Sequence, residues 1–183
     1  AATRRRSIGA NDRIRIGIIG CGDRGRNAHM KGLYAHVKET NFEIVAVADP
    51  WRIAREEANG LTKEWFGRDA QQCVSYHQLL ELKDIDAVTI ASPDFVHTLH
   101  LEASARAGKH IYVEKPMSSY LPAAFEVWDN VKATGKVFQV GSQGCSDAKW
   151  HKCAELIKDG KLGPLVLGQG SYMRNSPAGE WNY

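Results

Sequence analysis

Gly20-Cys21-Gly22-Asp23-Arg24-Gly25, directly behind the apolar run Ile14-Arg15-Ile16-Gly17-Ile18-Ile19, is the stretch whose reading decides the fold. Three glycines in six residues, placed between a strand-like run and a segment of helical composition, suit a tight strand-to-helix turn. Gly20 permits the turn, and Gly22 lacks the Cβ that would stand between the backbone and an approaching anion. Gly25 lets the following helix lie close on the strand. The helix N-terminus adds free N–H groups and the positive end of its dipole. Together these features read as a turn for the pyrophosphate of a dinucleotide, with Gly20, Gly22, Asp23, Arg24 and Gly25 as the binding residues. Glycine-rich turns are common in loops, so the reading depends on the chain that follows.

That chain alternates strand and helix. Position 14–19 is a nearly continuous apolar run of the kind buried on both faces of a parallel sheet, and a helix is expected over 23–37 with Ala28, Leu33 and Val37 toward the sheet. A second buried strand is expected over 43–49, a short helix over 52–57, a weak third strand over 73–75 and a two-turn helix over 76–82. A fourth strand over 85–91 is stopped by Ser92-Pro93, a helix over 96–107 is closed by Gly108, and a fifth strand covers 110–114. Leu121, Ala124, Phe125, Trp128 and Val131 recur at helical spacing before Gly135 and read as a core-facing stripe; 137–141 is a sixth strand. The alternation predicts an α/β fold, a doubly wound parallel sheet of Rossmann type. A helix carrying Trp150, Cys153, Ala154 and Ile157 and a strand over 164–172 then read as the start of a second, truncated α/β domain. The expected division is a mobile tail over 1–12, the nucleotide-binding domain over 13–145 and the beginning of the second domain over 146–183, with 173–183 loop-like.

Composition bounds the function. The 183 residues are 43% hydrophobic and 25% charged, ordinary for a globular protein. No run of about 18 apolar residues is present to span a membrane. The net charge of +3 is matched by Arg4-Arg5-Arg6 alone, which argues against a nucleic-acid partner, since that would want a basic stripe over a folded face. Cys21, Cys73, Cys145 and Cys153 show no metal-ligand spacing and read as small buried or half-buried residues, with a Cys145–Cys153 disulfide open but unsupported; no metal is expected. The arginine run followed by Ser7 has the look of a twin-arginine export signal without its apolar region.

Three positions gather at strand ends, where open α/β sheets bind ligands. Asp49 ends the second strand, where a carboxylate accepts from ribose hydroxyls and repels a 2′-phosphate; this favours NAD over NADP, although Arg52 and Arg55 lie near. Its alternative role is to cap the next helix. Ser92, Pro93 and His97 follow the fourth strand, with His97 either lining the nicotinamide end of the cleft or serving the first turn of a helix. Glu114-Lys115-Pro116 closes the fifth, and there the Lys115 ammonium can hold an alkoxide-forming oxygen or assist proton movement.

The glycine turn, Ala48-Asp49, Ser92-Pro93 with His97, the run Ala107-Gly108-Lys109-His110-Ile111-Tyr112-Val113-Glu114-Lys115-Pro116, and Val140-Gly141-Ser142-Gln143 together resemble the glucose-fructose oxidoreductase / inositol dehydrogenase / MocA family. The resemblance implies a Rossmann domain binding NAD(P) and a following open-sheet domain that holds a sugar or cyclitol and mediates homo-oligomerisation. It implies that Lys115 lies near nicotinamide and substrate as the catalytic lysine, that Glu114 orients its surroundings, and that Pro116 shapes the turn, often through a cis peptide. An Asp and a His of the second domain would complete the catalytic set, beyond Tyr183. The opening Arg13-Ile14-Arg15-Ile16-Gly17 and the closing stretch 174–183 also resemble bacterial members often exported through a twin-arginine signal, pointing to the periplasm, with the cytoplasm as alternative. The expected function is hydride transfer between a nicotinamide cofactor and a sugar, sugar derivative or cyclitol. The alternatives are an NAD-dependent glycosidase working by transient oxidation and elimination, and a non-catalytic NAD-binding sensor or interaction protein.

Overall fold

The apolar run folds as β1 (Ile14–Ile19) in the computed structural model, which describes residues 13–171. Behind the glycine turn the chain winds as a π-helix over Arg24–Met30 and continues as α1 (Lys31–Tyr34), then breaks before a separate short α2 (Val37–Thr40). The single helix expected over 23–37 is therefore three pieces, and the residues it buries are Gly25, His29 and Met30, while Leu33 and Val37 pack half-buried against the core. Asn41, at φ 42°, turns the chain into β2 (Phe42–Ala48).

The next helix, α3 (Arg52–Phe66), is much longer than the expected 52–57. Ala54, Ala58 and Thr62, spaced four apart, form its buried edge, and small side chains there let the helix lie close to the sheet. Gly67, at φ 70°, ends it. Then come β3 (Gln71–Cys73), α4 (Tyr76–Leu80), β4 (Ala87–Ile90), a 3-10 turn over Asp94–Val96, α5 (His97–Arg106) and β5 (His110–Glu114). A reciprocal Ser75–Gln78 capping box starts α4. The unit closes with α6 (Leu121–Thr134) and β6 (Phe138–Gly141).

All six strands pair in parallel in the order β3-β2-β1-β4-β5-β6. This is the doubly wound Rossmann order, in which the chain runs outward from β1 in one direction and returns to start again at β4. Two apolar layers cover the sheet, one gathering Ile18, Met30, Ile44, Ala54 and Ala58, the other Leu79, Ile90, Leu101, Val113, Val127 and Val131. Ile18, Ile44 and Ile90 are each at most 1% exposed, and burying each contributes about 1.5–3 kcal/mol.

Two expectations fail on packing grounds. On α6 the buried residues are Val127 and Val131, whereas Leu121, Phe125 and Trp128 are 70%, 63% and 48% exposed. Of the stripe expected in the core, Val131 is buried, whereas Leu121, Phe125 and Trp128 lie on the outer face of the helix. Cys145 and Cys153 are exposed free thiols, and only Cys21 and Cys73 are buried.

A compact unit ends at Ser142, and a second begins at Gln143. Within the latter, α7 (Ala148–Lys158) is capped by the Asp147 carboxylate, which accepts from the Lys149 N–H at 3.0 Å. Trp150 and Ile157 on that helix are exposed. The strand expected over 164–172 does not form across 164–171, where Leu165, Val166 and Leu167 are exposed. Tyr172, the expected tail over 1–12 and the expected loop over 173–183 lie outside the described residues.

Candidate functional site

The chain reverses direction in the sheet between β1 and β4, and the glycine turn sits on that crevice. Gly20 takes φ 91°, a backbone state that side chains strain, while its N–H donates to the Ala48 carbonyl at 2.9 Å. A Cβ on Gly20 would lie 2.5 Å from the Ser92 nitrogen and 2.6 Å from the Ala91 carbonyl carbon. One on Gly25 would overlap the Gly20 carbonyl oxygen. Gly22 is different, since a Cβ there would meet nothing within 4 Å. The first and third glycines thus serve contacts inside the protein, and the second faces a space the protein leaves open, as a turn approached by a pyrophosphate requires. The geometry fits the dinucleotide that the fold implies.

Asp49 fastens this turn to the end of β2. Its Oδ2 accepts from the Cys21 N–H at 2.8 Å, and its Oδ1 accepts from the Trp51 N–H, also at 2.8 Å, at the start of α3. The capping role is therefore real, and each carboxylate oxygen keeps acceptor capacity for a ribose hydroxyl. The neighbouring arginines are engaged elsewhere: Arg52 pairs with Glu56 at 2.6 Å, and Arg55 donates to the Asp49 and Pro50 carbonyls at 2.5 and 3.2 Å. Arg26 donates to the Cys21 carbonyl and pairs with Glu57 at 2.7 Å. Burial, reinforced by the Asp49 carboxylate, pushes the Cys21 thiol up to about 12. Cys21 is thus a packing group and no nucleophile.

Glu114 joins the turn to β5. Only 6% exposed, it accepts from Arg24 Nε at 2.9 Å and from Arg24 Nη2 at 3.2 Å, and it lies 2.9 Å from His29 Nε2. A two-pronged guanidinium satisfies such a buried carboxylate well. Burial lowers the His29 pKa, against the opposing pull of Glu114. Arg24, expected at the cofactor, ties the helix to Glu114, and the side chain of Asp23 is taken by Asn27 at 2.6 Å.

The third arm carries Ser92, Pro93, His97 and Lys115. His97 is 1% exposed, with Nδ1 2.6 Å from the Pro116 carbonyl oxygen and Nε2 2.8 Å from that of Ser92. Both ring nitrogens face protein carbonyls, so the side chain expected at the cofactor presents no free nitrogen to a ligand. Ser92 Oγ is 2.9 Å from His100 Nδ1, and Tyr76 packs on the His100 ring at 4.3 Å. Pro93 is exposed at the head of the 3-10 turn. The Lys115–Pro116 peptide is cis, as the family resemblance implied. Lys115 is exposed and has no hydrogen bond or ion pair to a described residue.

His29, His100, Tyr76 and Arg26 escaped the sequence reading. His29 and Glu114 are 85 residues apart, and no local pattern announces such a pair.

His100 has a consequence for stability. Burial first, then His97 and His77, lower its pKa from 6.5 to about 4. The unfolded chain takes up this proton near pH 6.5 while the folded chain resists it until about 4, so stability falls as the pH drops through that window. The loss attributable to His100 should reach about 3 kcal/mol by pH 4. Urea unfolding of His100→Gln between pH 7 and 4 checks this, because the variant should show a correspondingly flatter pH dependence.

With the geometry in place, comparison with known proteins supplies the family. A family model described as an oxidoreductase family with NAD-binding Rossmann fold matches residues 14–142. The dTDP-3,4-didehydro-2,6-dideoxy-alpha-D-glucose 3-reductase of Streptomyces antibioticus is 32% identical over 175 residues, covering 93% of this chain and 50% of that protein. Glycosyl hydrolase family 109 protein 2 of Shewanella sp. (strain ANA-3) is 27% identical, over 88% of this chain and 36% of its own. Among solved structures, the WlbA dehydrogenase from Bordetella pertussis in complex with NADH and UDP-GlcNAcA superposes with a TM-score of 0.73 at 25% identity, covering 82% of this chain and 41% of that one. The chain spans about half the length of the first of these relatives or less of the others. Its glycine turn, sheet order and strand-end residues, with the match over 14–142, make it a member of the glucose-fructose oxidoreductase / inositol dehydrogenase / MocA family, with that family's NAD-binding Rossmann fold.

Proposed function

We propose that this chain is the cofactor-binding part of an NAD-dependent oxidoreductase acting on a sugar, a sugar derivative or a cyclitol. The observation that carries the reading is the placement of Lys115, without a partner among the described residues, at the end of β5, on the strand-end edge of the sheet that also bears the open Gly22 turn. Bound nicotinamide supplies the hydride acceptor or donor. The chain's residues do the rest: the backbone around Gly22 receives the pyrophosphate, Asp49 accepts from the adenosine ribose, and the Lys115 ammonium holds the substrate oxygen as its proton leaves or returns. A preference for NAD over NADP is supported by the Asp49 carboxylate together with the engagement of Arg52 and Arg55, which leaves no guanidinium committed to a 2′-phosphate.

In the full-length enzyme, Lys115→Ala should lower kcat on an oxidised sugar or cyclitol by about 100-fold or more, the scale of general acid–base assistance, with NADH affinity within threefold of the original. Turnover near the original rate would remove Lys115 from the chemistry.

A second reading draws on the relatives named as glycosyl hydrolase family 109 proteins, 25–27% identical to this chain. In that reading the same site oxidises a glycoside transiently and releases sugar with no net NADH. Absorbance at the reduced-cofactor band during turnover separates the two, since it accumulates in the first case and stays flat in the second.

A further inference from the structure

His97 is not needed by the reading above, yet it is the most completely enclosed polar side chain at the crevice, 1% exposed. It opens α5, and its ring spans two loops that come from different strands. Nδ1 faces the carbonyl oxygen of Pro116, one residue past Lys115, at 2.6 Å, and Nε2 faces that of Ser92, the residue packed against Gly20, at 2.8 Å. Carbonyl oxygens only accept, so a ring nitrogen bonds here only as its N–H; a neutral ring has one N–H, and the two bonds together require the imidazolium.

The loop it secures runs between the buried Glu114 and Met117, which packs against the core, and His97 holds the carbonyl between Lys115 and Met117. The ammonium has no partner among the described residues, and both Lys115 and Pro116 are exposed. A long flexible side chain reaches a defined place only if its backbone is held.

We propose that His97 is a positioning residue, whose Nδ1–H bond to the Pro116 carbonyl sets the backbone from which Lys115 reaches the cofactor, and whose ring ties that loop to the Ser92 loop beside the glycine turn. The proposal rests on the reading of Lys115 given above. It makes a directional prediction, because the asparagine amide nitrogen falls near the imidazole Nδ1 and the glutamine amide nitrogen near Nε2. Asparagine keeps the bond to Pro116, and glutamine keeps only the bond to Ser92.

The test uses the full chain with its lysines reductively 13C-methylated, the Lys115 signal being assigned by its absence in Lys115→Arg. NADH should shift that signal equally in the original chain and in His97→Asn. In His97→Gln the shift should fall below half, with the NADH Kd within threefold. A merely structural histidine would not distinguish the two amides. A full shift in His97→Gln, or an equal loss in both variants, overturns the proposal. Should the glutamine variant fail to fold, the unsubstituted chain decides. There the 15N signals of the His97 ring should move during the NADH titration with the same half-saturation as Lys115, and ring signals that stay fixed while Lys115 moves overturn it. A chain that binds NADH with no response at Lys115 overturns the reading of Lys115 as well, and one that binds no NADH overturns the cofactor assignment itself.

Discussion

Gly22→Val should leave the folded protein intact and remove its affinity for NADH. A Cβ at this position meets no protein atom within 4 Å, and the residue is not in the left-handed region of backbone space. Unfolding free energy should therefore change by less than about 1 kcal/mol, as for an unencumbered surface substitution. The branched side chain nevertheless fills the space through which a pyrophosphate approaches the backbone N–H groups at the helix start. Losing that contact should weaken NADH at least 100-fold in a calorimetric titration, about 2.7 kcal/mol of binding free energy. A variant that binds NADH like the original would show that the turn is a structural loop and nothing more.

Gly25→Ala should do the opposite kind of damage. Its new methyl group would overlap the Gly20 carbonyl oxygen, a backbone atom, with the Gly20 carbonyl carbon at 3.1 Å. No rotamer change relieves such a contact, so either the helix or the end of β1 must move. The shift would also disturb Arg24, whose fork on Glu114 holds that helix to β5. The expected loss is at least about 3 kcal/mol, the upper range for inserting volume into a packed site. For a domain of this size that lowers Tm by roughly 6–12 °C. An alanine variant that melts with the original protein would refute the close helix-to-strand approach. The two glycines, three positions apart, should thus separate cleanly, one reporting on the ligand and the other on the fold.

The sheet was readable because buried parallel strands are short apolar runs with abrupt ends. Expected and observed limits coincide for β1 and β5 and differ by a residue or two at β2 and β6. Helices were harder. Most of α3 was missed because its buried edge is Ala54, Ala58 and Thr62, residues with little hydrophobic signal, whose contribution is closeness of approach. On α6 the expected stripe joined Leu121, Ala124, Phe125 and Trp128 with Val131, and only Val131 of that group is buried, because helical spacing alone does not say where the edge of the buried face falls. Val127 and Val131, the smaller pair, meet the sheet. At the site, the placement of the glycines, Asp49 and Lys115 at strand ends was legible because it follows from where the apolar runs stop. The Arg24–Glu114–His29 cluster and the contact of His97 with Pro116 arise only when β1, β4 and β5 are brought side by side, and those pairings exist in no local pattern.

Asp49 and Gly22 make their clearest joint statement in the choice of cofactor. The most direct measurement is a calorimetric titration of this chain with NADH and, separately, with NADPH. One NADH should bind per chain, with NADPH at least about tenfold weaker, the 1.4 kcal/mol or more expected from setting a 2′-phosphate against the Asp49 carboxylate. Equal or tighter binding of NADPH would contradict the role given to Asp49, and a chain that binds neither dinucleotide would contradict the assignment of the crevice as a cofactor site.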